Sequence, residues 1–231
     1  MKRFYARVTV APLAQGLGIL LDGRPVRTPA GRPLALPAAP LAEAVAAEWR
    51  AQEERIVPAR MPLTRLATTA IDLLPARRPD LLRETVDYAA SDMLCYRAGE
   101  PQALAIRQHR AWQPWLDWAE RTFGARLVVT EGVLPVAQPQ ASLRRLEAAA
   151  AALDDWRLVG LHAAVRLTGS LVLGLAIERG ALDAAAAFEL ALLEELHEME
   201  QWGEDEEQRR RQETIRCELE AAGRFLDSLP R

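Results

Sequence analysis

Residues 16–49 read GLGILLDGRPVRTPAGRPLALPAAPLAEAVAAEW, and the change of grammar inside this stretch decides the fold class. Its first half is turn chemistry between short apolar runs. Gly16 and Gly18 precede Ile19-Leu20-Leu21, Asp22-Gly23 is a strong two-residue hairpin signal, and Pro29-Ala30-Gly31-Arg32 separates Val26-Arg27-Thr28 from Leu34-Ala35-Leu36. After Pro40, Leu41, Val45 and Trp49 recur every four residues with Glu43 and Glu48 between them, the period of a helix. Upstream, Phe4 to Val10 alternates with Tyr5, Arg7 and Thr9, which predicts a half-buried strand, so residues 3–37 read as an antiparallel meander.

Downstream the helical period dominates. Runs are predicted over Leu63 to Leu73 and Leu81 to Leu94, the latter capped by Asp80 after Pro79. Residues 103–123 place Ile106, His109, Trp112, Trp115, Ala119 and Phe123 at helical spacing, with Pro114 kinking or restarting the helix. Arg126 to Val129 and Val133 to Val136 look like short strands that rejoin or abut the first sheet. From Ser142 the chain is helical throughout: Ser142 to Leu153, a buried helix from Leu158 to Ile177, Asp183 to Met199, and Asp205 to Leu226. The expected class is α+β, a small antiparallel β-rich N-terminal domain (1–40 with 125–138) followed by a mainly α-helical domain (41–124 with 139–231).

With 231 residues, half of them apolar, the chain can bury a core without metal or disulfide. Cys95 and Cys217 have no zinc or redox spacing and fit a reducing compartment. The start lacks the apolar core of a signal peptide. The apolar run from Leu158 is interrupted by His162 and Arg166, too early for a bilayer span, so no membrane insertion is expected. Net charge is −3, but residues 181–231 hold fourteen acids against six arginines, which argues against a nucleic-acid partner there.

The search for chemistry returns little. No phosphate-binding or dinucleotide loop is present, no nucleophile elbow occurs, and no catalytic, cofactor or metal residue is assigned. Glu194 and His197 share a helix face as an ExxH step, but a di-iron bundle needs that step twice. His162 reads as a core histidine bonded to a backbone carbonyl, and Trp112, Trp115 and Trp118 as packing. In Gln201-Trp202-Gly203-Glu204-Asp205-Glu206-Glu207, Gly203 separates two helices and the acids after it suit a helix N-terminus.

Six stretches together carry a resemblance. They are Arg3-Phe4-Tyr5, Leu21-Asp22-Gly23-Arg24-Pro25-Val26-Arg27-Thr28-Pro29, Met61-Pro62-Leu63-Thr64-Arg65-Leu66-Ala67, Tyr88-Ala89-Ala90-Ser91-Asp92-Met93-Leu94-Cys95-Tyr96-Arg97-Ala98, Leu167-Thr168-Gly169-Ser170 and Gln201-Trp202-Gly203. The chain resembles the family of F-type ATP synthase alpha-subunit assembly chaperones, found in mitochondria and some proteobacteria. The resemblance implies a non-enzyme without cofactor that binds the free alpha subunit and prevents its self-association until the beta subunit is incorporated. It also ties function to an acid four positions after the tryptophan, here Glu206, with Asp205, Trp202 and Gly203 beside it in the partner-binding segment. Mitochondrial relatives carry a long import extension and this chain starts at its first strand, which implies a bacterial cytoplasm. The alternative reading is a small-molecule hydrolase or metal enzyme using Glu194, His197 and His162.

Overall fold

The computed structural model describes residues 1–132, 134–203 and 205–230. The sheet is centred on β2 (Gly16–Leu21), which pairs antiparallel with β1 (Val8–Leu13) through a two-residue turn at Ala14 and Gln15. Asp22 and Gly23 then turn the chain into β3 (Arg24–Pro25) with φ of 49° and 82°, both positive as a type I′ turn demands. The Asp22 carboxylate also accepts from the amides of Ala6 and Arg7, tying the N-terminal segment to the turn and holding the Asp22 carboxyl below its usual range. β4 (Ala35–Leu36) does not continue a meander outward but returns to β2, pairing Leu17 with Leu36 on the edge that β3 also uses.

Gly23→Val is expected to destabilise the protein by about 1–3 kcal/mol, because a β-branched residue resists positive φ. A Cβ at Gly23 would meet nothing within 4 Å, so the loss would come from the backbone alone. Thermal unfolding checks this, and an unchanged melting temperature would refute it.

The predicted strand from Phe4 is corrected at its start. Tyr5 is buried with its hydroxyl donating to the Trp49 carbonyl at 2.7 Å while Phe4 is exposed, so the inward phase begins only at Val8. The inner face of the sheet packs Val8, Ile19, Leu21 and Leu36 on α1 (Ala39–Arg50) and α2 (Pro62–Asp72). Glu48 of α1 reaches the start of α2 and accepts from the amides of Leu63 and Thr64 and the Thr64 hydroxyl, so one helix caps the next.

Beyond α2 the chain is a helical bundle on a second core. α3 spans Leu74–Val86, seven residues earlier than expected, and Asp80 caps nothing; it pairs with Arg83. Pro79 lies inside α3 and Pro114 inside α4 (Gln102–Phe123), neither restarting its helix. Both prolines are on the exposed side, where water can take the carbonyl that loses its donor. The inward stripe of α4 is Leu104, Gln108, Trp112, Leu116 and Ala119; Ile106 and His109 face outward, contrary to the spacing read from the sequence. Trp115, Trp118 and Phe123 pack edge to face beside that stripe.

Segment 125–138 does not rejoin the N-terminal sheet. Its described strand, β6 (Thr130–Glu131), pairs parallel with β5 (Tyr96–Arg97). The backbone groups that a longer ladder would use are taken by side chains: Gln138 bonds both the amide and the carbonyl of Val128, and Ser142 donates to the Arg126 carbonyl. Val133, expected to open a second strand, lies outside the described residues.

After α5 (Gln140–Ala151) the expected Leu158–Ile177 helix is two, α6 (Asp155–Thr168) and α7 (Leu171–Glu178). Gly169 ends α6 in a left-handed conformation and the Ser170 hydroxyl caps α7. The break is fixed from a distance by buried Asp92, which accepts from Ser170 Oγ at 3.0 Å, the Val172 amide at 3.1 Å and the Leu94 amide at 3.1 Å. No cation pairs with Asp92 among the described residues, and burial pushes its carboxyl up to about 6 despite those donors. The native state therefore binds the Asp92 proton more tightly than the unfolded chain, and its stability relative to an Asp92→Asn variant should fall as pH rises from about 4 through about 6. Urea unfolding of both proteins at the ends of that window tests the sign; a rise would contradict it.

The expected Asp183–Met199 helix also divides, into α8 (Ala184–Ala191), capped by Asp183, and α9 (Leu193–Trp202). α10 (Glu206–Asp227) closes the fold and joins both cores, giving Leu219, Ala222 and Leu226 to the bundle and Ala221 and Phe225 to the sheet side. Among the described residues no helix is long and apolar enough to cross a membrane.

Candidate functional site

The corner between α9 and α10 is built by a few residues with defined jobs. Trp202 is the last residue of α9 and its side chain is 86% exposed, the most exposed of the large apolar side chains described. Gly203 follows with φ 87° and ψ 173°, a region open essentially to glycine alone. Asp205 then caps α10, accepting from the Gln208 amide at 2.8 Å, and Glu206 is the first residue of the helix. Glu204 lies outside the described residues. The turn leaves an indole standing in solvent three and four residues before Asp205 and Glu206, where it adds nothing to the core.

Glu206 is exposed but not bare. Its carboxylate is shared between Arg209, one turn on, and Arg210 Nε at 2.8 Å, and these hydrogen bonds hold its carboxyl below the usual range. Sequence reading gave this acid a helix-capping or partner-binding role and missed the two arginines. Their i+3 and i+4 spacing from Glu206 was the available signal.

The corner is held mostly by polar links. Arg211 of α10 grips Glu195 of α9 at 2.7 Å, and Arg107 of α4 grips Glu200 at 2.6 Å, while Leu193 is the only fully buried residue among those described in α9. Exposed pairs of this kind contribute little to stability.

The other residues singled out are engaged elsewhere. Glu194 accepts from the side chain of Gln108 on α4, and burial raises its carboxyl. His197 Nε2 accepts from the side-chain Nε2 of Gln201 at 3.0 Å. His162 sits in a groove between α3 and α6 with Nδ1 2.9 Å from Thr85 Oγ1. The Thr85 hydroxyl already donates to the Leu81 carbonyl, so His162 is the donor, to a hydroxyl and not to the expected backbone carbonyl. Burial, with Arg166 nearby, pushes the His162 imidazole down. Among the described residues no three His, Cys, Asp or Glu side chains gather in a way that could hold a metal ion. The histidine and the ExxH step therefore have separate partners and form no common constellation.

Comparison with known proteins bears on the whole chain. The profile of the ATP12 chaperone protein family matches residues 2–120. The crystal structure of Atp12 from Paracoccus denitrificans is 41% identical over 98% of this chain and 97% of its own, with a TM-score of 0.91, and a mutant of the same protein superposes equally well. A protein of Agrobacterium tumefaciens, solved as a candidate chaperone, is 41% identical over 99% of this chain and 86% of its own, with a TM-score of 0.94.

Proposed function

The chain belongs to the ATP12 chaperone family, and on that premise we propose that it serves assembly of the F-type ATP synthase by binding the free alpha subunit and preventing its self-association until the beta subunit is incorporated. The observation that carries this reading is Trp202, held in solvent by Gly203 beside Asp205 and Glu206. A large exposed aromatic in a segment followed by charged residues is the kind of anchor that protein interfaces use. It is presented on a corner whose helices are linked by ion pairs.

The role is that of a holdase, without a reaction. Glu194, His197 and His162 have partners of their own within the fold, which supports the chaperone reading over the hydrolase or metal-enzyme one. The direct test mixes purified chain with purified alpha subunit and follows light scattering and co-elution. Suppressed aggregation, with release when beta subunit is added, is the expected result. Absence of any complex with alpha would overturn the proposal.

A further inference from the structure

Two of the motif stretches, residues 24–29 and 61–67, are no part of the α9–α10 corner, and only some of their residues, Met61, Leu63 and Ala67 among them, are used up in the sheet's core. In the structure they form the two walls of one groove of about 320 Å³, between the β3–β4 hairpin and the α1–α2 pair. Its floor is apolar, made by Val26, Leu34, Trp49 and Met61, and its rim carries Arg27 and Arg65 with no carboxylate among the lining residues. Arg65 is bonded to Glu218 at 2.8 Å, whereas Arg27 donates to the Gly31 carbonyl and to no carboxylate among the described residues. An apolar trough edged by the Arg27 guanidinium complements a segment with an apolar side chain next to an acid.

Position adds a second argument. Glu218, which holds Arg65 at the rim, lies twelve residues along α10 from Glu206, about 18 Å at the helical rise. One rigid helix therefore joins the Trp202 corner to the groove. A client folded over that helix can touch both.

Resting on the chaperone reading above, we propose that this groove is a second contact for the client, taking an extended client segment whose apolar side chain fills the trough and whose neighbouring carboxylate pairs with Arg27. The two contacts then divide the work: the corner presents an aromatic to the client, and the groove receives an apolar group from it. Two separated anchors on one rigid frame bind more tightly than either alone because the second engages without a fresh loss of translational freedom.

Two variants test this by different means. Thr68→Trp plugs the groove from its α2 wall, and Arg27→Glu reverses the rim charge at an exposed position that pairs with no carboxylate among the described residues. Binding to purified alpha subunit is measured by titration, alongside thermal unfolding and sedimentation of the chain alone. The expected result is unaltered melting and at least about tenfold weaker binding for each variant, the scale of losing one interface anchor. If Thr68→Trp fails to fold, Arg27→Glu decides. Wild-type binding matched by a folded variant overturns the groove and leaves the chaperone reading intact. No wild-type binding overturns both. A self-association of the wild type that the variants abolish, with alpha binding unchanged, assigns the groove to a second copy of this chain and also overturns the proposal.

Discussion

Arg157→Ala is expected to destabilise the protein by about 3–5 kcal/mol, the cost of stranding one member of a buried ion pair, and so to lower its melting temperature by about 10 °C for a chain of this size. Arg157 of α6 donates from Nε to Glu178 Oε1 at 2.7 Å, from Nη2 to the Glu178 carbonyl at 2.7 Å and from Nη1 to the Pro230 carbonyl at 3.0 Å. Both side chains are buried. One guanidinium thus ties α6, the end of α7 and the C-terminal segment together, and alanine removes all three links while Glu178 stays enclosed. Arg179, much more exposed, approaches Glu178 only at 3.4 Å and replaces little. The double variant Arg157→Met/Glu178→Leu separates the causes. An apolar pair of similar volume removes the stranded charge, so it should recover most of the loss. A single variant within about 1 kcal/mol of wild type by chemical denaturation would show that the pair is hydrated and the network argument wrong.

What could be read from the chain tracks how local its cause is. The Asp22-Gly23 turn and the helix starts at Asp183 and Asp205 were legible because each is decided by a few adjacent residues. The split of the apolar run at Gly169 and Ser170 was not. Its periodicity is continuous, and the group that fixes the break is Asp92, 78 residues upstream in sequence. Segment 125–138 misled for a related reason: its residues suit strands, but Gln138 and Ser142 consume the backbone bonds that a sheet would need. Tertiary partners overrode local preference in both cases. At the candidate site the stop at Gly203 was legible, whereas the exposure of Trp202 was not, since a tryptophan ending an amphipathic run reads equally as core. The groove was invisible because its walls lie about forty residues apart and meet only through the packing of the hairpin on α1 and α2.

The corner itself should separate binding from folding more cleanly than any other place in the molecule. Trp202→Ala removes a side chain that buries almost nothing in the free chain, so melting should be nearly unchanged, while the loss of an aromatic anchor should weaken alpha-subunit binding by about thirtyfold or more. Glu206→Lys works by charge. In the free protein Glu206 is neutralised by Arg209 and Arg210, and these exposed contacts within one helix contribute little to stability. Lysine at that position removes the partner of Arg209 and Arg210 and adds a cation at a helix N-terminus, where the dipole disfavours it, yet Asp205 still caps the helix through the Gln208 amide. The fold should hold with at most a small drop in melting temperature, and binding should be lost. Glu206→Gln distinguishes the two ways in which the acid could act. If the client supplies a cation, glutamine fails nearly as badly as lysine and binding by wild type weakens with salt. If Glu206 only keeps Arg209 and Arg210 in place for a client carboxylate, glutamine leaves them free and binding survives. Capture of the alpha subunit by both Trp202→Ala and Glu206→Lys at wild-type affinity would remove this corner from the interface altogether.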